Sequence, residues 1–326
     1  MRLGNEGRSS ATTIMSFSVI KSLNGEGEDI RNQKLLSFTD NRQDASLQAG
    51  HFNDFLTTAR LRSAVGFALK DAPSGLKVYD IAQRTCEKLK LKESEYARIS
   101  NDVWPDEENE RAMKDFLVIR ILYDLKRGWR YVLPNLEQCA MLKVEYEKLG
   151  LYCQQDSFFN DLLLFNQIIP SKREEILIQV LNFFRTSFSI NHPILSEKRR
   201  ETEDFLNLKL DNDKLWSLER DEKIEAASYM LSQNPGKTFR IYTNSIGSQS
   251  NLAKYFKRLL RENGLDPLKR DDYIDFINGV CQVLKKGNFL KDEPIKGDKG
   301  TVTGYQLRAD KIVWKLGDCE TIELDN

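Results

Sequence analysis

The sequence predicts a mainly α chain with short extended pieces, and three observations support that. Apolar residues recur at helical spacing through most of positions 57–210. Gly and Pro number only 18 and 8 in 326 residues, and most stand between the periodic runs, where they end helices. From about position 216 the pattern changes to helices followed by two extended stretches.

The elements follow in order. Ser9 or Ser10 can cap a helix from Ala11 to about Leu23, which Asn24-Gly25-Glu26-Gly27 ends. Lys34-Leu35-Leu36-Ser37-Phe38 reads as a short strand, then a polar elbow, then a helix from about Ala45. These are half of a βαβ unit, and a lone parallel strand needs neighbours that the next 160 or so residues do not offer. Helices are expected over Leu61–Leu69, Val78–Leu91, Glu108–Lys126, Glu137–Lys148, Asp156–Ile168 and Arg173–Arg185. The Glu108–Lys126 run is apolar on more than one face, so it should be central. Glu197–Asp213 is charged and reads equally as a linker or a solvated helix.

Beyond position 216 the expected order is a helix at Glu222–Gln233, a strand at Thr238–Tyr242, and helices at Ser250–Arg261 and Asp271–Lys286. Gly287 should cap the last of these. The extended stretches Asn288–Pro294 and Gly304–Leu316 follow, joined by Lys296-Gly297-Asp298-Lys299-Gly300. Three helices and then a β-hairpin is the order of a winged-helix-like domain.

Composition excludes several classes. The five cysteines, Cys86, Cys139, Cys153, Cys281 and Cys319, show no metal-ligand spacing, and there are two histidines, so neither a zinc site nor a disulfide framework is expected. Reduced, mostly buried thiols suit a cytoplasmic protein, and no apolar run reaches the roughly 18 residues of a membrane span. The chain lacks a G-x-x-x-x-G-K-[ST] phosphate loop and a magnesium-binding D-E-A-D or D-E-x-H run. No Ser–His or Cys–His pair can be argued, so no catalytic residue and no metal ligand is assigned. Acids at Asp106-Glu107-Glu108 and Asp271-Asp272 fall at helix starts, where negative charge suits the dipole.

Net charge is zero, with 49 Lys+Arg against 49 Asp+Glu, but it is unevenly spread. Positions 236–316 hold sixteen Lys and Arg against nine acids, a net of +7. In the Ser250–Arg261 helix, Leu252, Tyr255, Phe256, Leu259 and Leu260 make the core stripe. Lys254, Lys257, Arg258 and Arg261 share the other face, and Lys296 and Lys299 stand at the hairpin tip. Such a face is either a phosphate-binding surface or simply solvated. In the elbow, Thr39, Asn41 and Arg42 could donate to phosphate; equally, Asp40 or Asn41 could cap the helix and Arg42 pair with Asp44.

One run is far more specific. Leu35-Leu36-Ser37-Phe38-Thr39-Asp40-Asn41-Arg42-Gln43-Asp44-Ala45-Ser46-Leu47-Gln48-Ala49-Gly50-His51-Phe52-Asn53-Asp54-Phe55 resembles a signature of large bacterial DEAD/DEAH-box helicases of superfamily 2. There it opens the second RecA-like domain. Weaker echoes are Leu3 to Thr13 (the connector), Arg127-Gly128-Trp129-Arg130 with Leu133 to Glu137 (a helical insertion), and Gly304 to Asp310 with Trp314 (the return to the helicase core). The resemblance implies an internal piece of an ATP-dependent helicase acting on nucleic acid, with DNA favoured. ATP and Mg would bind in the parent protein, on motifs outside this chain, and the partners would be the nucleic acid and the rest of the helicase core. It implies a connector and the start of the RecA-like domain at 1–56, a helical insertion at 57–215 and the winged-helix-like domain at 216–326. The competing expectation is a non-enzymatic module that binds nucleic acid or protein.

Overall fold

In the computed structural model the chain divides into two compact units, 1–64 and 65–326. The structure describes residues 57–101, 106–126, 135–238 and 241–317, with Met15, Ser18, Val19 and Ser22. Those four and residues 57–64 of the first unit are helical. The expected strand at Lys34–Phe38, the elbow and the helix from Ala45 lie outside the described residues.

The second unit is mainly α with some sheet. After a helical stretch at 65–70 come α1 (Val78–Leu89) and α2 (Glu107–Asp124). Next are β1 (Leu142–Tyr146), α3 (Leu149–Cys153), α4 (Pro170–Thr186), β2 (Ile190–Asn191) and α5 (Arg199–Lys209). The last run comprises β3 (Tyr229–Leu231), β4 (Thr243–Ser245), α6 (Asn251–Glu262), α7 (Arg270–Lys286), β5 (Leu290–Gly297), β6 (Gly300–Arg308) and β7 (Ile312–Leu316).

α2 is the buried central helix its pattern predicts. Asp106 caps it, accepting from the Glu108 N–H at 2.9 Å, and Phe116, Leu117, Ile119 and Leu122 are all buried. Its one buried cation, Arg120, is held by the Glu222 carboxylate at 2.8 Å and lies over the Phe116 ring. α4 starts with Pro170 in its first turn, where a missing N–H costs nothing. The charged 197–213 segment resolves as helix, α5.

Strand β6 organises the main sheet. One edge pairs antiparallel with β5 from Leu290↔Leu307 to Gly297↔Gly300. The other edge takes β3 antiparallel at Met230↔Tyr305 and β2 parallel at Ile190↔Leu307. β4 lies parallel outside β3. Gly304 permits this close packing, since a Cβ there would meet Ile295 and Tyr229 side chains. β1 and β7 form a second, two-stranded antiparallel sheet, Leu142↔Leu316 to Tyr146↔Ile312. Both sheets therefore draw strands from before and after position 215.

Four expected elements differ. Glu137–Lys148 is turns followed by β1, because Leu142, Val144 and Tyr146 alternate and find Leu316, Trp314 and Ile312 opposite. Asp156–Ile168 is a 3₁₀ turn at Asp156–Phe158 followed by further turns. The buried Arg173 guanidinium donates there to the Phe165 carbonyl at 2.7 Å and the Cys153 carbonyl at 3.3 Å, satisfying groups a helix would pair internally. Glu222–Gln233 has no regular secondary structure as far as Ser228 and then becomes β3. Its backbone is claimed by scattered partners: Ile224 N–H donates to Glu203, Glu225 N–H to the Tyr123 hydroxyl, and Ser228 N–H to the Phe188 carbonyl. Gly304–Leu316 is two strands, not one, split by a 3₁₀ turn at Ala309–Lys311.

In the expected Thr238–Tyr242 strand, Thr238 forms a single bridge to Gly297, and the strand itself lies one step later, as β4. Residues 239 and 240 are outside the described residues. α6 and α7 match their predicted spans closely, and Gly287 caps α7.

Candidate nucleic-acid interface

Helix α6 presents the basic face. Ser250 begins it, its Oγ accepting the Ala253 N–H at 3.1 Å. Leu252, Ala253, Phe256, Leu259 and Leu260 are buried. Tyr255, assigned to this stripe from sequence, is only half-buried, and the Arg258 guanidinium lies 5.7 Å from its ring centre. Lys254, Lys257, Arg258 and Arg261 are all exposed, as their spacing requires. Arg258 approaches Glu262 at 3.7 Å and Lys254 reaches Asn251 at 3.4 Å. Lys257 and Arg261 have no acidic partner among the described residues.

The hairpin tip is a second basic site. Gly297 pairs with Gly300, so Asp298 and Lys299 form a two-residue turn. This tip is clasped by the loop Asn234-Pro235-Gly236-Lys237. Asp298 Oδ1 accepts the Lys237 N–H at 2.9 Å, and Lys299 N–H donates to the Pro235 carbonyl at 2.9 Å. The clasp brings exposed Lys237 to the tip that carries exposed Lys296 and Lys299. Sequence reasoning counted Lys237 but did not place it. Asn-Pro-Gly marks a turn, yet nothing local says which strand that turn meets.

The two basic sites lie toward one end of β3. Ser232 directly follows β3 and leads into the clasp, while Gly247, just before α6, packs against the Ser232 carbonyl, 2.7 Å from where a Cβ would stand.

Ion pairs account for much of the remaining positive charge. Lys285 pairs with Asp292 at 2.7 Å, Lys291 with Glu293 at 2.8 Å, and Arg308 with Asp310 at 3.0 Å. Lys311 and Lys315 pair with Glu147 and Glu145. α6 and the tip keep most of their cations facing solvent, and Lys269, Arg270 and Lys286 at the ends of α7 are exposed as well. The start of α7 is mixed, with exposed Lys269 and Arg270 beside exposed Asp271, Asp272 and Asp275, whose carboxylates would repel phosphate. The three elbow residues Thr39, Asn41 and Arg42 lie outside the described residues.

Among the described residues no cluster of His, Cys, Asp or Glu is placed to hold a metal ion, and no helix is long and apolar enough to cross a membrane. Comparison with family models, with curated proteins and with solved structures found no match.

Proposed function

We propose that this chain is a nucleic-acid-gripping part of an ATP-dependent helicase, and that it holds the phosphate backbone through α6 and the clasped hairpin tip. The carrying observation is the segregation on α6: one buried apolar stripe and one exposed face bearing Lys254, Lys257, Arg258 and Arg261. Point charges on a fixed helix contact phosphates without reading bases, so binding is weak, salt-dependent and largely indifferent to sequence. The order β3, β4, α6, α7, β5, β6, with β3 antiparallel to β6, supports a winged-helix-like reading of this region, in which β4 is an added strand. That reading rests on the strand, the two helices and the hairpin, because the expected first helix is not helical. The helicase assignment rests on the resemblance of Leu35 to Phe55, and DNA is the first ligand to test.

Fluorescence anisotropy with labelled single- and double-stranded DNA at low and moderate salt provides the test. Lys254→Glu combined with Lys257→Glu is expected to weaken binding and to flatten the salt dependence by about 0.7–0.9 for each phosphate no longer neutralised. Unchanged affinity and salt slope would mean that the face is only solvated and that the region serves a protein partner.

A further inference from the structure

The second unit contains a cleft of about 380 Å³ with no part in the interface above. It lies between α2 and α5 and is flanked by Tyr79 of α1 and by Pro193 and Ile194. The two helices run past each other as a ladder of charged and aromatic rungs. At one end Glu108 pairs with Lys209. In the middle the Arg111 guanidinium lies 4.8 Å from the Phe205 ring centre. At the far end Asp115 and Lys198 both line the cleft and sense one another electrostatically, yet no ion pair joins them. The last rung of the ladder is open, and the cleft is that opening.

Besides the paired Glu108, four charged side chains line it: Arg111 and Asp115 from α2, Lys198 at the start of α5 and Glu201 within it. No hydrogen bond or ion pair holds any of the four among the described residues. Asp115 is half-buried, and burial pushes its carboxyl up while Arg111 and Lys198 pull it down. With Glu108 already paired to Lys209, the two cations and two acids left unpaired around the cavity complement a molecule that carries both charges close together. Tyr79, Phe205, Pro193 and Ile194 add rings and aliphatic carbons to the wall, which suits an apolar side chain.

We propose that this cleft binds a small zwitterion, an α-amino acid with an apolar side chain. Its carboxylate lies toward Arg111 and Lys198, and its ammonium toward Asp115 and Glu201. Both ends replace water with charge-assisted hydrogen bonds, and the ligand closes the open rung. The cavity is at the small end of the range for ligand sites, which fits an amino acid and not a nucleotide.

The test is ligand-observed saturation-transfer NMR and calorimetry on the full chain, with L-leucine and L-phenylalanine as probes. At least one is expected to bind saturably, with Kd of about 1 mM or tighter. Isoamylamine, which lacks the carboxylate, and isocaproate, which lacks the ammonium, are expected to bind at least about tenfold more weakly, since each forfeits one charged contact. Asp115→Asn, nearly isosteric, should weaken the amino acid at least about tenfold and leave isocaproate binding and DNA binding unchanged. If neither amino acid saturates, or either analogue matches it, the proposal fails. The analogue comparison uses the wild-type chain, so it decides the question even if the variant does not fold. DNA binding is read in the same samples, so failure here is separable from failure of the α6 interface.

Discussion

His192 has a consequence that its sequence context, a turn before Pro193, does not reveal. Its ring is buried 5.3 Å from that of Tyr79, and its Nδ1 accepts the Ile194 N–H at 3.3 Å. Nε2 therefore carries the proton of a neutral imidazole. Burial lowers its pKa to about 4, against a weak opposing pull from the Glu197 carboxylate. The unfolded chain takes up a proton near pH 6.5, whereas the folded chain refuses it until about pH 4. This group costs nothing above pH 6.5. As pH falls through the window from 6.5 to 4 the native state loses stability, reaching about 3 kcal/mol at the lower end. Urea unfolding at pH 7 and pH 5 measures it. His192→Gln should remove about 2 kcal/mol of the difference between the two pH values. An equal difference in variant and wild type would show that the titration lies elsewhere.

At the scale of elements, the clasp gives the sharpest expectation. Gly236 has φ +85°, and a Cβ there would collide with the Asp298 carboxylate. Gly236→Ala should cost about 1–2 kcal/mol through backbone strain and should open the clasp. Hydrogen exchange should then accelerate at the Lys237 and Lys299 amides and stay unchanged along α6. Acceleration along α6 as well would mean that the tip and the helix form one cooperative unit. What was legible in the sequence follows the same division between local and distant causes. α1, α2, α4, α6 and α7 were readable because each carries its own periodicity or stop signals, as with Pro170 and Gly287. The 222–233 segment was not, because its helical spacing is overridden by Arg120, Glu203, Tyr123 and Phe188, all distant in sequence. β1 was missed because its partner lies about 170 residues on. The basic residues of α6 were legible from spacing, although Tyr255 proves half-buried and not core, whereas Lys237 joined the site only through tertiary contact. The open rung needed two helices whose pairing no spacing encodes.

For the whole chain, the missing phosphate loop and magnesium motif set a firm expectation. With ATP, Mg and DNA present, the purified 326-residue protein should release phosphate no faster than buffer, since phosphoryl transfer by ATP-dependent motors relies on both groups. Turnover above background would overturn the proposal that any ATP chemistry belongs to other parts of a parent protein.

The β1–β7 pairing also sets an order of events during synthesis. Tyr146 emerges from the ribosome long before Ile312, its partner across the strand. Until the last strand appears, β1 presents an unpaired edge, and Leu76, which bridges to Trp314, has nothing to meet. Helices in between can form as they are made, but the small sheet cannot. Contacts this distant make closure slow relative to helix formation. A nascent chain stalled after Arg308 would carry a nearly complete set of helices and an exposed apolar edge, the state in which such a protein most needs a chaperone.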